Sequence, residues 1–287
     1  MFADILLPVD DSEGADDAIG HAADLADHFD ATVHVVFVAS TNRDSVTVVG
    51  SDVVDALEQE GEDIVEPVAD DLRDRGVACE SEVVQGDPAM TIVDYADSRG
   101  MDLVVMPTRG RSGLSRYLLG SVTEKVVRHS EVPVLTIRTH DEARTPFPYE
   151  NVLIPTDGSK AAGGAVDRAV ELTAAFDATL HAVSVVDDRS LGIDVRSGSA
   201  SEELRGVAEE AVADVADRAD EAGVERVEKH VLTGRASNKL LDYVADEDID
   251  VVAMGTTGRG AADRVLLGSV TERIVRSSPV PVLTVRR

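Results

Sequence analysis

Gly255, Gly258 and Gly268 stand in the pattern G-x2-G-x9-G, closed by Ser269. Glycine lets a backbone approach a ligand closely. The stretch after Gly268, Ser269-Val270-Thr271-Glu272, opens a predicted helix whose first N–H groups and positive dipole end suit an anion. Arg259 and Arg264 add positive charge against one acid, Asp263. The chemistry is that of holding a phosphate-bearing ligand. The same four residues form a capping box, so Ser269 serves the ligand, the helix end, or both. Asp157 ends an apolar run elsewhere in the chain and reads either as a turn residue or as a ligand contact.

This loop occurs twice. Thr108–Arg138 and Thr256–Arg286 share 20 identities in 31 positions at an offset of 148. Such internal similarity marks a duplication. The earlier copy carries Arg109, Arg111 and Arg116, and keeps Gly110, Gly120, Ser121 and Val122. It has Pro107 where the later copy has Gly255. Proline has no N–H and adds a ring where a ligand must approach.

The elements that position these loops follow from apolar periodicity. Residues 4–9 form a run too short for a helix and suited to a central parallel strand. Ser12 is placed to cap a helix reaching about His28. A strand at 32–38, a helix at about 53–75 and a strand at 77–84 come next. Asp87-Pro88 then starts a helix. A strand at 102–106, the loop at 107–120, a helix at 121–129 and a strand at 133–137 complete the unit. The second half repeats this order, with Ser159 matching Ser12. The offset moves from 147 to 148 after the second strand, which places one inserted residue in the loop 187–200.

Alternating strands and helices predict an α/β fold of two repeated doubly wound domains. Each has a five-stranded parallel sheet of order 3-2-1-4-5 flanked by helices. The domains are expected at 1–139 and 151–287, with 140–150 as linker. In such sheets ligands bind beyond the carboxyl ends of strands, where the winding reverses. That rule brings Asp157 to the glycine loop, and Asp10 to its counterpart.

Composition narrows the alternatives. The net charge is −28, with only four lysines among 27 basic residues. Such acidity argues against nucleic acid as the main partner. It also predicts adaptation to concentrated salt, where self-repulsion is screened. A melting temperature that rises with added KCl is the expected result. No apolar run reaches membrane-spanning length and no signal peptide is visible, so a cytoplasmic location is expected. Cys79 is the single cysteine, read as a buried thiol. His34 and His181 lie within strands and read as packing residues. No G-x4-G-K-[ST] motif is present, which excludes that class of NTPase.

Both halves resemble universal stress protein domains. The resemblance is carried by Pro8-Val9-Asp10 and Pro155-Thr156-Asp157, by the glycine loops, and by the closing VPVLTIR and VPVLTVR. It implies the adenine nucleotide alpha hydrolase-like fold and binding of ATP, with Mg2+ or Mn2+ held by the phosphates. It implies no catalytic residue or protein metal ligand, and a stress or signalling role. A slow ATPase and a non-binding interaction module remain the alternatives. By resemblance, Pro155, Thr156, Asp157 and Val185 contact the nucleoside. Met254, Gly255, Gly258, Arg259, Gly268, Ser269 and Val270 surround ribose and phosphates. Asp10, Val38, Gly110, Arg111, Gly120, Ser121 and Val122 are the weaker set of the first repeat. The resemblance also implies pairing of Pro133–Ile137 with Pro281–Val285 as an intrachain pseudo-dimer.

Overall fold

A computed structural model describes residues 1–11, 15–40, 51–108, 119–139, 143–187, 198–258 and 267–286. Side chains are described from residue 59 in the second helix and from residue 202 in the sixth. Two compact units result, Met1–Asp141 and Glu142–Arg287.

The first unit runs β1 (Asp4–Val9), α1 (Ala15–Phe29), β2 (Thr32–Ser40), α2 (Ser51–Asp74), β3 (Ala78–Gly86), α3 (Pro88–Ser98), β4 (Leu103–Pro107), α4 (Ser121–His129) and β5 (Val134–Ile137). All pairings are parallel, in the order β3-β2-β1-β4-β5. The second unit repeats it with β6 (Asn151–Pro155), α5 (Gly163–Phe176), β7 (Thr179–Val186), α6 (Gly198–Glu221), β8 (Arg226–Thr233), α7 (Ala236–Asp246), β9 (Val251–Gly255), α8 (Ser269–Ser277) and β10 (Val282–Val285). Its order is β8-β7-β6-β9-β10, also parallel.

The central strands are apolar throughout because helices cover both faces. Ile5, Leu6 and Leu7 in β1 are buried, as are Val152, Leu153 and Ile154 in β6. β3 and β8 lie at the outer edge of each order and are half exposed. The entry to each central strand is fastened from far along the chain. The Asp102 carboxylate accepts the N–H groups of Ala3 and Asp4, at 2.7 and 3.1 Å. Asp250 does the same for Glu150 and Asn151, at 2.7 and 2.8 Å.

Some local expectations hold and others do not. Asp87 caps α3, its side chain accepting the Met90 N–H at 3.1 Å, with Pro88 in the first turn. Ser159 does not cap α5. Residues 158–162 form turns, and the helix starts at Gly163 with Ala162 at its boundary. The matching Ser12 lies outside the described residues. Cys79 is only partly covered, although burial still raises its thiol pKa.

His34 and His181 are both buried, as expected of packing residues, but their partners differ. His34 Nε2 lies 2.8 Å from Asp4 Oδ1. In the second unit the neutral Asn151 takes the place of Asp4, at 3.2 Å from His181 Nε2. His181 Nδ1 shares a 2.9 Å hydrogen bond with the Tyr243 hydroxyl of α7. Burial lowers the His181 pKa, with Glu228 opposing.

His21, in α1, is also buried, and burial pushes its pKa down to about 4. A depressed folded-state pKa means that the unfolded chain takes up the proton first as pH falls. His21 therefore contributes stability that is fully present above its unfolded value of about 6.5 and is lost as pH falls toward 4. Between pH 7 and pH 5 the first unit should lose about 2 kcal/mol from this residue. Denaturant titrations at the two pH values check this, and His21→Leu should flatten the slope.

Candidate functional site

In the second unit the carboxyl ends of β6, β7 and β9 meet the amino end of α8 around a cavity of about 640 Å³. That size suits a small organic ligand. Pro155, Thr156 and Asp157 reach it from the end of β6, and Val185 from β7. Met254 and Gly255 reach it from β9, and Gly258 from the loop that follows. Gly268, Ser269 and Val270 line it from the start of α8. Arg259 lies outside the described residues. Every described member of the second-repeat set therefore comes to one cavity, although 113 positions separate Pro155 from Gly268.

α8 begins at Ser269, with Gly268 at its boundary in extended backbone and no side-chain cap. The capping-box reading is therefore corrected: the Ser269 hydroxyl does not close the helix end. α4 begins the same way, at Ser121 after Gly120. The Glu272 N–H bonds to the Gly268 carbonyl at 2.8 Å. The preceding N–H groups, of Ser269, Val270 and Thr271, have no acceptor within the helix and stand at the cavity wall. This end carries the positive pole of the helix.

The loop is held from below. The Thr271 hydroxyl donates to the Gly255 carbonyl at 2.8 Å, and the Gly268 N–H to the Thr256 carbonyl at 2.8 Å. These bonds tie the start of α8 to the end of β9. Space around the glycines is tight. A Cβ on Gly255 would lie 3.3 Å from the Thr257 carbonyl oxygen, and one on Gly258 2.8 Å from Asp157 Oδ2. The other Asp157 oxygen, Oδ1, accepts the Ser159 N–H at 2.9 Å. Asp157 is thus both a turn residue and part of the cavity wall.

Several wall residues escaped the sequence reading. Val183 and Asp187 continue the β7 face of Val185 at a spacing of two, which strand alternation could have revealed. Ala236 and Leu240 come from α7 at a spacing of four, and only packing brings them here. The cavity has a largely apolar wall of Val183, Val185, Leu240 and Met254, an anion-accepting edge at α8, and two carboxylates, Asp157 and Asp187.

In the first unit Asp10 follows β1, Val38 lies in β2, and Gly120, Ser121 and Val122 begin α4. These are the corresponding positions. Gly110 and Arg111 lie outside the described residues. Pro107 ends β4, and its carbonyl accepts the Thr123 hydroxyl at 2.9 Å, as Gly255 accepts Thr271.

The model of the Universal stress protein family matches residues 1–138 and, a second time, 148–286. The chain belongs to the universal stress protein family. A universal stress protein of Methanocaldococcus jannaschii is 33% identical over 141 residues, covering 48% of this chain and 83% of that relative. One of Mycobacterium tuberculosis is 34% identical over 224 residues, covering 75% of this chain and 71% of its own. The crystal structure of a universal stress protein from Archaeoglobus fulgidus superposes with a TM-score of 0.76 at 25% identity. That match covers 99% of this chain and 98% of the other. The two matches to the family model make the chain a tandem universal stress protein, with α/β architecture in both halves. Among the described residues, no helix is long and apolar enough to cross a membrane.

Proposed function

We propose that the second unit binds an adenine nucleotide, ATP, and that the chain acts as a nucleotide-responsive stress or signalling protein. The observation that carries this reading is the meeting of three unlike surfaces in one cavity. An α8 amino end bordered by glycines suits phosphates. An apolar wall suits a base. Carboxylates at the ends of β6 and β7 suit the hydroxyls of a sugar. The cavity residues are Pro155, Thr156, Asp157, Val185, Met254, Gly255, Gly258, Gly268, Ser269 and Val270. Arg259 joins them by its place in the motif.

Among the described residues, no group of three or more His, Cys, Asp or Glu could cage a metal ion. A Mg2+ or Mn2+ ion would be held by the phosphates, with Asp157 as the carboxylate that the motif supplies. The first unit keeps Gly120 and Ser121 but carries Pro107, so it takes nucleotide weakly or not at all.

Denaturing the purified protein and identifying what it releases tests the reading, followed by calorimetry with ATP. Bound adenine nucleotide, and ATP binding without ADP formation, is the expected result. Steady release of ADP that Ser269→Ala abolishes would make the protein a slow ATPase instead. No bound nucleotide and no heat with ATP would leave an interaction module.

A further inference from the structure

α7 packs against β7, and each gives one row of side chains to the contact. Ala236 and Leu240 of α7 line the cavity, and Tyr243 follows on the same face of the helix. Val183 and Val185 of β7 also line it, and strand alternation puts His181 on their side of the strand. The rows meet twice. At the cavity their apolar members form the wall. Toward the amino end of β7, the Tyr243 hydroxyl and His181 Nδ1 share the 2.9 Å hydrogen bond, and both residues are buried. Their rings stand edge to face, with centroids 5.9 Å apart.

The neighbours of that bond assign its direction. Asn151 Nδ2 donates to the Asp248 carbonyl at 3.4 Å, and Asn151 Oδ1 faces His181 Nε2 at 3.2 Å. An amide oxygen only accepts, which assigns the proton to Nε2 and leaves Nδ1 to accept from the tyrosine. A second proton, on Nδ1, makes the ring a donor at both nitrogens and takes away the acceptor of the Tyr243 O–H. The groups facing His181 are Asn151 from β6, Glu228 and His230 from β8, Tyr243 and Glu247 from α7 and its end, and Asp250 before β9. Burial outweighs the carboxylates among them and holds the ring's pKa below its ordinary value. The first unit is built differently. Tyr95 donates to the Glu82 carboxylate at 3.1 Å, and Arg99 donates to the same oxygen at 3.1 Å. At the offset of 148, His230 and Glu247 stand in those places in the second unit.

We infer that His181 and Tyr243 are positioning residues of the second unit: their hydrogen bond seats α7 on β7 and so fixes the apolar wall that takes the base. Neither residue lines the cavity itself. They act through Ala236 and Leu240, which share their helix face with Tyr243. Protonation of His181 removes the acceptor of the tyrosine hydroxyl, loosens α7 and weakens binding. By reciprocity, bound nucleotide makes the ring harder to protonate. The inference rests on the nucleotide reading above and adds to it a dependence on protons, carried by the wall of the site.

The test uses the full chain, with Tyr243→Phe, which removes only the hydroxyl, and His181→Gln, which does not titrate. Calorimetry with ATP runs from about pH 8 to about pH 5, the range in which a histidine changes charge. Each variant is read as a ratio to the wild type at the same pH, which cancels the titration of ATP itself. Both variants should bind about fivefold more weakly at the upper pH, the net effect of one hydrogen bond. At the lower pH they should approach the wild type, because acid takes the bond from the wild type alone. A ratio that stays constant with pH, or a folded variant with no loss, would overturn the assignment. Nuclear magnetic resonance of the His181 ring tests it without substitution. The negative charge of ATP would by itself raise the ring's pKa, whereas the seating of α7 predicts that ATP lowers it. An unchanged or raised value would overturn the assignment. A wild-type chain that binds no ATP would overturn the nucleotide reading itself, and this inference with it.

Discussion

Replacing Gly255 with proline is expected to leave a folded protein that has lost nucleotide binding. The first unit is the reason for expecting a fold. Pro107 occupies the same place at the end of β4, and its carbonyl accepts the Thr123 hydroxyl at 2.9 Å, as that of Gly255 accepts Thr271 at 2.8 Å. Gly255 is not among the glycines with positive φ, and Pro107 ends the equivalent strand of the first unit, so a proline at this position is compatible with the strand end. The ring, however, would project where even a Cβ lies 3.3 Å from the Thr257 carbonyl oxygen and 3.4 Å from that of Ala161. The wall of the cavity would have to move. A loss of affinity of at least tenfold is expected, about 1.4 kcal/mol or more. Titration of the wild-type chain should give one tight site per chain, and Gly255→Pro none. Two equal sites in the wild type would contradict the assignment of nucleotide to the second unit.

A second substitution pair should move stability in opposite directions. Gly61 lies in α2, and a Cβ there would fall 2.6 and 2.7 Å from the two γ-carbons of Val83 and 2.9 Å from the Phe37 ring. Glycine inside a helix costs about 1 kcal/mol relative to alanine. Overpacking a filled site costs about 1–3 kcal/mol. At Gly61 the second effect wins, because the β-branched Val83 and the buried Phe37 ring have little room to yield. Gly61→Ala should destabilise the first unit by about 1 kcal/mol, and Gly61→Leu by about 3 kcal/mol or more. Gly206 in α6 meets nothing within 4 Å, so Gly206→Ala should stabilise the second unit by up to about 1 kcal/mol. Thermal melts of the three variants, each beside the parent, read the signs directly.

The doubly wound order was legible because β1 and β6 are unbroken apolar runs while β3 and β8 are mixed. Both starts of the glycine-bordered helices, Ser121 and Ser269, were also legible, since glycine ends what precedes them. The role of the serine side chain was not. A capping box and a ligand-facing serine have the same spelling, and only backbone geometry separates them. Ser159 misled for a related reason: hydroxyl and turn residues cluster at 157–159, but the chain takes a further turn before Gly163. Ala236 and Leu240 could not be found as cavity residues, because an apolar pair on α7 looks the same facing a ligand or a core. Val183 and Asp187 could have been found by extending the alternation from Val185. His21 was hidden in an ordinary helical pattern, where burial rather than residue type makes it sensitive to acid.

The carboxylate fastenings at the start of each central strand bear on how the protein is made. Asp102 reaches back 99 positions to Ala3, and Asp250 reaches back 100 to Glu150. During synthesis, β1 leaves the ribosome long before its partner β4 exists, so the first sheet cannot close until most of that unit has emerged. The second sheet waits in the same way for β9, and its cavity waits longer still, for the start of α8. The nucleotide binding proposed above therefore requires nearly the whole second unit to have emerged. A ribosome stalled between residues 258 and 268 would present a first unit free to fold and a second unit lacking the helix end that completes its cavity.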